Sequence, residues 1–456
     1  VMSDPPELDR ARFAERFTVA ALKLPAKKTG DALKQLKDEL LSYPRKKNVE
    51  PSQDKGFNLI FLSRQLEGDV AKLSADSALW LKAQQDVEVV QATVDIGYDH
   101  LTTEEVVRKL LPAGAEVTTA FEQAGHVCHL NLRDAQLPYR FQIAQVILDK
   151  NKSVKTVVNK TGKIETEFRT FPMEHLAGEK STVVKLREQG CWFEFEYRDV
   201  YWNSRLQAEH GRLIEALFVR PVLDAGRWSP VVADATCGVG PFSIPIAKNS
   251  SGVVTHANDL NPASVRWLER SAELSKVAFG KISGLEEYGP GSRSDGGKSR
   301  MVIHPPGCAR AFIRALHAKR HPVTHAIFNL PATGVDLLDC FAGLDYDAAD
   351  LPRPLVSCYS FSDCPPDAPG DAGAVGDLVR RLGAALGPAA GGLRGIGVLP
   401  SPQVGEMIQQ AAQDTEGTPV VVRMIRNVAP SRNMYCVCFR VPKVEEGTPP
   451  KKPRVE

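Results

Sequence analysis

Apolar and polar positions change period along the chain, and the changes divide it. In TGDALKQLKDELLSYPRKK, Leu33, Leu36, Leu40 and Leu41 recur at helical spacing and a basic cluster follows, so residues 1–98 read as a helical and mixed module. Between 99 and 200, GHVCHLNL alternates like a half-buried strand and PYRFQIAQVILDKN has a helical period. VKTVVNKTG and CWFEFEYRDVYW again look like strands, which makes this stretch a small α+β module. From residue 201 the rhythm becomes strand, loop, helix. PVVADATCG, GVVTHANDLNP, THAIFNLPATG and RPLVSCYSFSD are short apolar runs that each end in a polar or glycine-rich turn, as buried parallel strands with functional C-terminal edges do. VVVRMIRNVAP and NMYCVCFRVP suit an antiparallel hairpin closing that sheet. GPGSRSDGGKSR (289–300) and the Ala/Gly/Pro-rich stretch after Asp363 read as loops, the second enclosing a helix over 378–386. The tail 445–456 is expected to be disordered and basic, and its PKKPR fits a nuclear-import address as well as a plain tail end.

Composition adds bounds. The 456 residues, 43% hydrophobic and 25% charged, suit a soluble globular protein of two or three domains. Lys+Arg (57) and Asp+Glu (55) nearly cancel, so only a local patch could favour a nucleic acid. Lys150, Lys152, Lys155, Lys160 and Lys163 are such a group, suited to a phosphate backbone and equally to a lysine-blunted strand edge. No apolar run reaches the ~18 residues of a membrane span, and VMSDPPELDRARFAERF lacks the order of a signal peptide. Nine cysteines without C-x-x-C spacing fit a reducing compartment, and Cys436 and Cys438 fall on one strand face as small buried hydrophobes; no metal site is expected.

Candidate chemistry concentrates at the strand ends. In DATCGVGPFSIPIAKN, Asp234 ends an apolar run, and Gly238 and Gly240 lead into a helix, so the backbone can approach a nucleoside closely. Asp259, 25 residues later in ANDLNP, stands at the spacing of an acid that accepts two ribose hydroxyls; the plain alternative is a helix cap. A dinucleotide site would want a third glycine where Ser243 stands. S-adenosylmethionine has no phosphate and needs none, so the pocket favours a sulfonium cofactor. Asn329, at the end of FNLPATG, offers a carbonyl acceptor and an amide donor to a planar heterocycle such as guanine; an ordinary strand-ending turn is the alternative. Ala332 stands where exocyclic-amine methyltransferases carry a stacking aromatic. Ahead of this region, VYWNSRLQAEHGRL sets Arg205 and Glu209 four apart, neighbours on a helix, for which a surface salt bridge is the plain explanation.

Together with ELDRARF, FRTFPMEHLAG, CYSFS and RNVAPSRNMYCVCF, these segments resemble the class I tRNA (guanine-37 N1)-methyltransferases of eukaryotes and archaea along nearly the whole chain. The resemblance implies an α/β, Rossmann-like class I methyltransferase domain at 201–444, behind two smaller α+β modules. The module at 1–98 would feel the tRNA elbow and the one at 99–200 would grip the anticodon arm. It also implies that His210, Asp259, Leu260 and Asn329 contact S-adenosylmethionine beside the Asp234, Gly238 and Gly240 turn, and that Arg205 acts on the guanine. One departure stands out. The family's Asp-Gly pair at the end of the third strand, where the acid meets the adenine amine, is replaced by Pro306-Gly307, leaving that contact to the backbone or to another group such as Asp295.

Methylating guanine N1 requires removal of its proton and stabilisation of charge on O6. A guanidinium suits the second role, so Arg205 is expected at O6, Asn329 on the base edge, and Glu209 as the candidate base. The target base must leave its stack in the anticodon loop. The rival readings are the tRNA aminocarboxypropyl transferase of wybutosine synthesis, against which Asn329-Leu330-Pro331 argues, and a non-catalytic RNA-binding adaptor. The enzyme is expected to be a monomer with no membrane partner, cytoplasmic and nuclear, with a mitochondrial pool.

Overall fold

The computed structural model describes residues 6–117, 119–162, 168–216, 228–282, 300–368, 370–387, 393–398 and 418–443. The chain forms two compact units, one of Val1–Glu122, Cys128–Lys160 and Glu174–Lys180, the other of Gln123–Val127, Thr161–Met173 and Ser181–Glu456.

In the first unit, β1 (Glu15–Pro25), β2 (Val49–Pro51), β3 (Phe57–Phe61) and β4 (Glu88–Ile96) make an antiparallel sheet in the order β2-β3-β1-β4. The leucine-rich stretch is helical only over α1 (Thr29–Gln35); Leu36 leaves helical geometry, and a 3-10 turn at Lys37–Glu39 follows. The leucine spacing is still real, because Leu36 and Leu41 are buried in cores of this unit. The helix α2 (Ala75–Lys82) completes this part. A second sheet runs β5 (Glu122–Ala124), β6 (Val127–Leu130), β7 (Thr156–Lys160), β8 (Met173–Gly178). The helices α3 (Thr103–Leu110) and α4 (Arg140–Lys150) bury Val106, Val107, Ile143 and Ile147 in the core that Val157 and Leu176 share. In the lysine group, Lys150 is bound internally: its Nζ donates to the Tyr98 carbonyl and lies 4.1 Å from that ring's centroid. Lys163 lies outside the described residues.

The second unit holds an antiparallel hairpin, β9 (Val183–Glu188) and β10 (Cys191–Glu196), and a nine-stranded sheet. Residues 181–200, read from sequence as part of the middle module, thus pack in this unit. The reason is local. Ser271 and Ser275 of helix α7 (Pro262–Leu274 and the residue after it) accept the N–H groups of Glu194 and Trp192 at 3.2 and 2.9 Å.

The large sheet contains β11 (Val231–Asp234), β12 (Val254–Ala257), β13 (Phe279–Lys281), β14 (Arg300–Ile303), β15 (His325–Phe328), β16 (Leu355–Ser362), β17 (Leu393–Val398), β18 (Thr418–Ala429) and β19 (Arg432–Arg440). Its order is β13-β14-β12-β11-β15-β16-β19-β18-β17. The first six of these are mutually parallel, and β19 runs antiparallel to both β16 and β18, as the closing hairpin required.

Apolar residues on both faces explain why these strands lack alternation. Val420, Val422, Tyr435 and Val437 pack with α8 (Ala309–Ala318) and α9 (Ala374–Leu386). Val421, Cys436 and Cys438 pack on the other face with α5 (Gln207–Ile214) and α6 (Ser243–Asn249). Both cysteines are therefore core residues, and all nine cysteines are free. The helix expected at 378–386 begins earlier, at Ala374. Most of the 289–300 loop, Asp295 included, and the basic tail lie outside the described residues. From β11 the chain moves to β12 on one side and returns through β15 on the other, so a crevice opens at the C-terminal ends of these strands.

Candidate active site

At that crevice lies an open cleft, all of whose lining residues belong to the second unit. Gly238, Asp259, Leu260, His210 and Asn329, five residues expected at a cofactor or base site, line this one cavity.

The end of β11 builds its floor. Gly238 has a left-handed φ of +55°, and its N–H donates to Asp259 Oδ2 at 2.8 Å. Gly240, at φ +91°, is needed for packing, since a Cβ there would stand 2.4 Å from Leu268 Cδ1 of α7. It does not line the cleft, and neither does Asp234. Both were expected to touch the cofactor; the structure places Asp234 behind the turn and the Gly240 Cα against α7. Asp234 is fully buried behind the turn, accepts the Ser243 hydroxyl at 2.5 Å, and is pushed up to about 7 by burial.

Asp259 sits where the second strand delivers it. Its Oδ1 accepts the Asn261 N–H at 2.9 Å and its Oδ2 the Gly238 N–H. An ionised carboxylate has about four lone-pair sites. The Ser264 hydroxyl also bonds this carboxylate, and the three bonds leave it unsaturated, with room for a further hydroxyl. Burial raises its pKa against the pull of those two backbone bonds. The capping alternative does not hold for Asp259, because Asn261 caps α7 by accepting from the Ala263 N–H at 2.9 Å. Pro306 and Gly307 fall outside the lining. The Gly307 N–H donates to the Asp259 carbonyl and the Gly307 carbonyl accepts from Asn258 Nδ2, both at 3.0 Å, so this pair braces the strand end that carries the acid.

The opposite wall comes from α5 and the end of β15. His210 Nδ1 meets Glu188 Oε1 at 2.6 Å, and its ring lies edge-on to Phe242 at 4.8 Å. A carboxylate at Nδ1 holds a proton on that nitrogen and orients the ring. His210 Nε2 is buried without a partner in the structure, and so is Asn329 Oδ1. The Asn329 backbone is held by its N–H donating to Thr236 Oγ1 at 2.8 Å. Two orphaned polar atoms on lining residues, a turn open to close approach and a carboxylate with open lone pairs fit the nucleoside of S-adenosylmethionine.

The residues expected to handle guanine are arranged differently from the sequence expectation. Arg205, in the 3-10 turn Ser204–Leu206, is exposed and absent from the lining, although Asn203 and Leu206 beside it are present. Glu209 is buried behind the wall. It accepts from Arg212 Nε and Nη2 at 2.8 and 2.7 Å and from the Tyr359 hydroxyl at 2.9 Å, and it pairs with Arg423 of β18.

Sequence reasoning missed Arg169. This half-buried arginine lines the cleft beside Phe168 and Tyr201, and desolvation lowers its pKa. Its φ of +59° is an uncommon conformation for a residue with a Cβ, of a kind that gathers at functional sites. Among the described residues no group of three or more His, Cys, Asp or Glu side chains could hold a metal ion, and no helix is long and apolar enough to cross a membrane.

Known proteins share this plan. Residues 103–182 match the family described as the TYW2 N-terminal domain, and residues 182–326 match the TRM5/TYW2 methyltransferase domain. The fold is similar to that of Trm5b from Pyrococcus abyssi, at TM-score 0.55 and 21% identity over 93% of this chain and 99% of that one. It is also similar to that of aTrm5 solved with tRNALeu, at TM-score 0.52 and 16% identity over 92% and 99%. A tRNA (guanine(37)-N(1))-methyltransferase of Phytophthora infestans is 34% identical over 447 residues, 96% of this chain and 93% of its own length. With that identity sustained across nearly both full lengths, and with donor and acceptor elements in one cleft, the chain belongs to the tRNA (guanine(37)-N1)-methyltransferase family.

Proposed function

We propose the following roles in the cleft by which this enzyme methylates N1 of guanine 37, beside the tRNA anticodon. S-adenosylmethionine supplies the methyl group on a positively charged sulfur. Asp259 accepts the ribose hydroxyls with its open lone pairs, Leu260 lays an exposed apolar side chain beside the nucleoside, and the Gly238 turn lets the backbone come close. His210 Nε2 and Asn329 Oδ1 lose their orphan status when the ligands enter.

Asn329 reads the guanine edge. Arg169 takes the place at O6 first expected of Arg205, because its fork of donors is in the cleft and stays charged as negative charge builds. Arg205, exposed next to the cleft, is assigned to a loop phosphate. Glu209 is retained as the base for the N1 proton. The one carboxylate in the lining, Asp259, already braces two backbone groups, which leaves Glu209, held behind the wall by Arg212, Arg423 and Tyr359, as the candidate.

The observation that carries this reading is the shared cavity of Asp259 and Asn329 at the point where the strand order reverses. The module at 1–98 and the part of 99–200 that lies in the first unit are assigned to the tRNA elbow and the anticodon arm. The enzyme is further proposed to act as a monomer in the cytoplasm and nucleus, with a mitochondrial pool. The test is transfer from donor labelled in the methyl group to a tRNA transcript, followed by mass mapping. Label in N1-methylguanosine at position 37, lost in a transcript carrying adenine there, supports the reading. A mark outside the anticodon loop overturns it, and no transfer of the methyl label, together with transfer from a second donor preparation labelled in the aminocarboxypropyl carbons, favours the wybutosine-pathway rival.

A further inference from the structure

The β9/β10 hairpin has a buried face and an open one. Cys191, Phe193 and Phe195 are fully buried, whereas Trp192 is 41% exposed. On the open face Trp192 stands opposite Arg187 in register, with Lys185 diagonal to it. Lys185 Nζ lies 5.5 Å and Arg187 Cζ 6.0 Å from the indole. Neither cation forms an ion pair with a described residue. The acid opposite Lys185, Glu194, is engaged by Arg270 at 2.8 Å. The backbone that carries the ring is also fixed from behind: Ser275 Oγ accepts the Trp192 backbone N–H at 2.9 Å and donates to the Trp192 carbonyl at 3.0 Å.

An exposed indole on a rigid backbone, flanked by two cations whose charge nothing else in the described fold neutralises, has the chemistry of a nucleic-acid contact. Its place is also informative. Helix α7 begins at the cleft with Asn261 and passes the hairpin at Ser275, 14 residues on, which at 1.5 Å per residue is about 21 Å. That is too far for the target base.

We propose that Trp192, Lys185 and Arg187 form a second RNA contact on the catalytic unit, holding the tRNA ribose-phosphate backbone about 21 Å from the methylated base. The two cations meet phosphates and the indole packs against a sugar face. This rests on the tRNA methyltransferase reading above and adds a surface to it.

The test compares Trp192→Ala and the double variant Lys185→Gln/Arg187→Gln with the parent, on full-length tRNA transcript over a range of salt. The expected result is a KM for tRNA raised roughly tenfold, with kcat and S-adenosylmethionine affinity unchanged, and a log KM against log salt slope reduced by about one unit per cation removed. If Trp192→Ala melts early, the double variant decides, because both its side chains are exposed. Unchanged KM and slope in an active double variant overturn the proposal while leaving the methylation reading intact. Capture of an acidic protein with tRNA kinetics unaltered overturns it in favour of a protein partner. Failure of the parent itself to label guanine 37 strikes the underlying reading instead.

Discussion

Replacing Arg169 with glycine should separate stability from activity. Arg169 holds φ +59°, a left-handed conformation that costs a residue with a Cβ about 1–2 kcal/mol. Glycine removes that cost but adds about 0.5–1 kcal/mol of unfolded-chain entropy. The balance predicts an Arg169→Gly protein as stable as the parent or up to about 1.5 kcal/mol more stable. Activity should move the other way. Loss of an oriented donor facing a developing oxyanion lowers kcat about 10²- to 10³-fold. Arg169→Lys should fall between, since an ammonium keeps the charge without the fork. The assay is single-turnover methyl transfer to a guanine-37 transcript at saturating donor, paired with thermal melting of the apo protein. A variant within about fivefold of parental kcat would show that O6 is held by another group. A melting point several degrees lower would show that Arg169 is structural, and would remove the strain argument.

Three further outcomes follow from the geometry. Asp259→Asn leaves one amide hydrogen facing a backbone N–H and takes away an acceptor for ribose; calorimetric titration should show S-adenosylmethionine affinity falling roughly 10- to 100-fold, the loss expected for charged hydrogen bonds. Gly240→Ala combines a left-handed penalty with a 2.4 Å approach to Leu268, whereas at Gly238 a new Cβ meets nothing within 4 Å. Denaturant unfolding should therefore show Gly240→Ala the less stable by about 1–3 kcal/mol, and equal losses would contradict the packing role. Asp234, fully buried, is raised to about 7, so the folded state keeps a proton that the unfolded chain releases near pH 4, and the parent loses stability as pH rises from there through 7. Relative to the parent, Asp234→Asn should gain on the order of 2–3 kcal/mol between pH 5 and pH 8, and a pH-independent difference would refute the buried-proton account.

Local signals predicted the donor side of the cleft better than the acceptor side. The glycine turn and Asp259 were legible because a strand end, a tight turn and a helix start are contiguous in sequence and need specific residues there. Asn329 was legible as a polar residue closing an apolar strand. Arg169 was not, because what brings it to the cleft is the return of 161–173 into the second unit, which no spacing records. Glu209 was read against Arg205, its helical neighbour, whereas one of its buried partners, Arg423, is more than two hundred residues away on β18. The place of the β9/β10 hairpin in the second unit was hidden for a similar reason: it looks like any exposed two-stranded element until Ser271 and Ser275 bond its backbone. Asp234 and Gly240 sit in the expected turn, but one is buried behind it and the other is pressed on α7, distinctions that depend on which way a turn faces.

The position of β19 bears on synthesis in the cell. A strand made late in translation lies inside the sheet, between β16 and β18, and pairs with Leu355–Ser362 along its whole length. A nascent chain has no partner for the outer edge of β16 until residue 440 is out of the ribosome. During that interval it presents a bare, apolar ladder of unpaired amides, the kind of surface that recruits chaperones or nucleates aggregates. A premature stop anywhere before residue 432 would make that interval permanent, so such messages should yield insoluble or degraded product rather than a weakened enzyme.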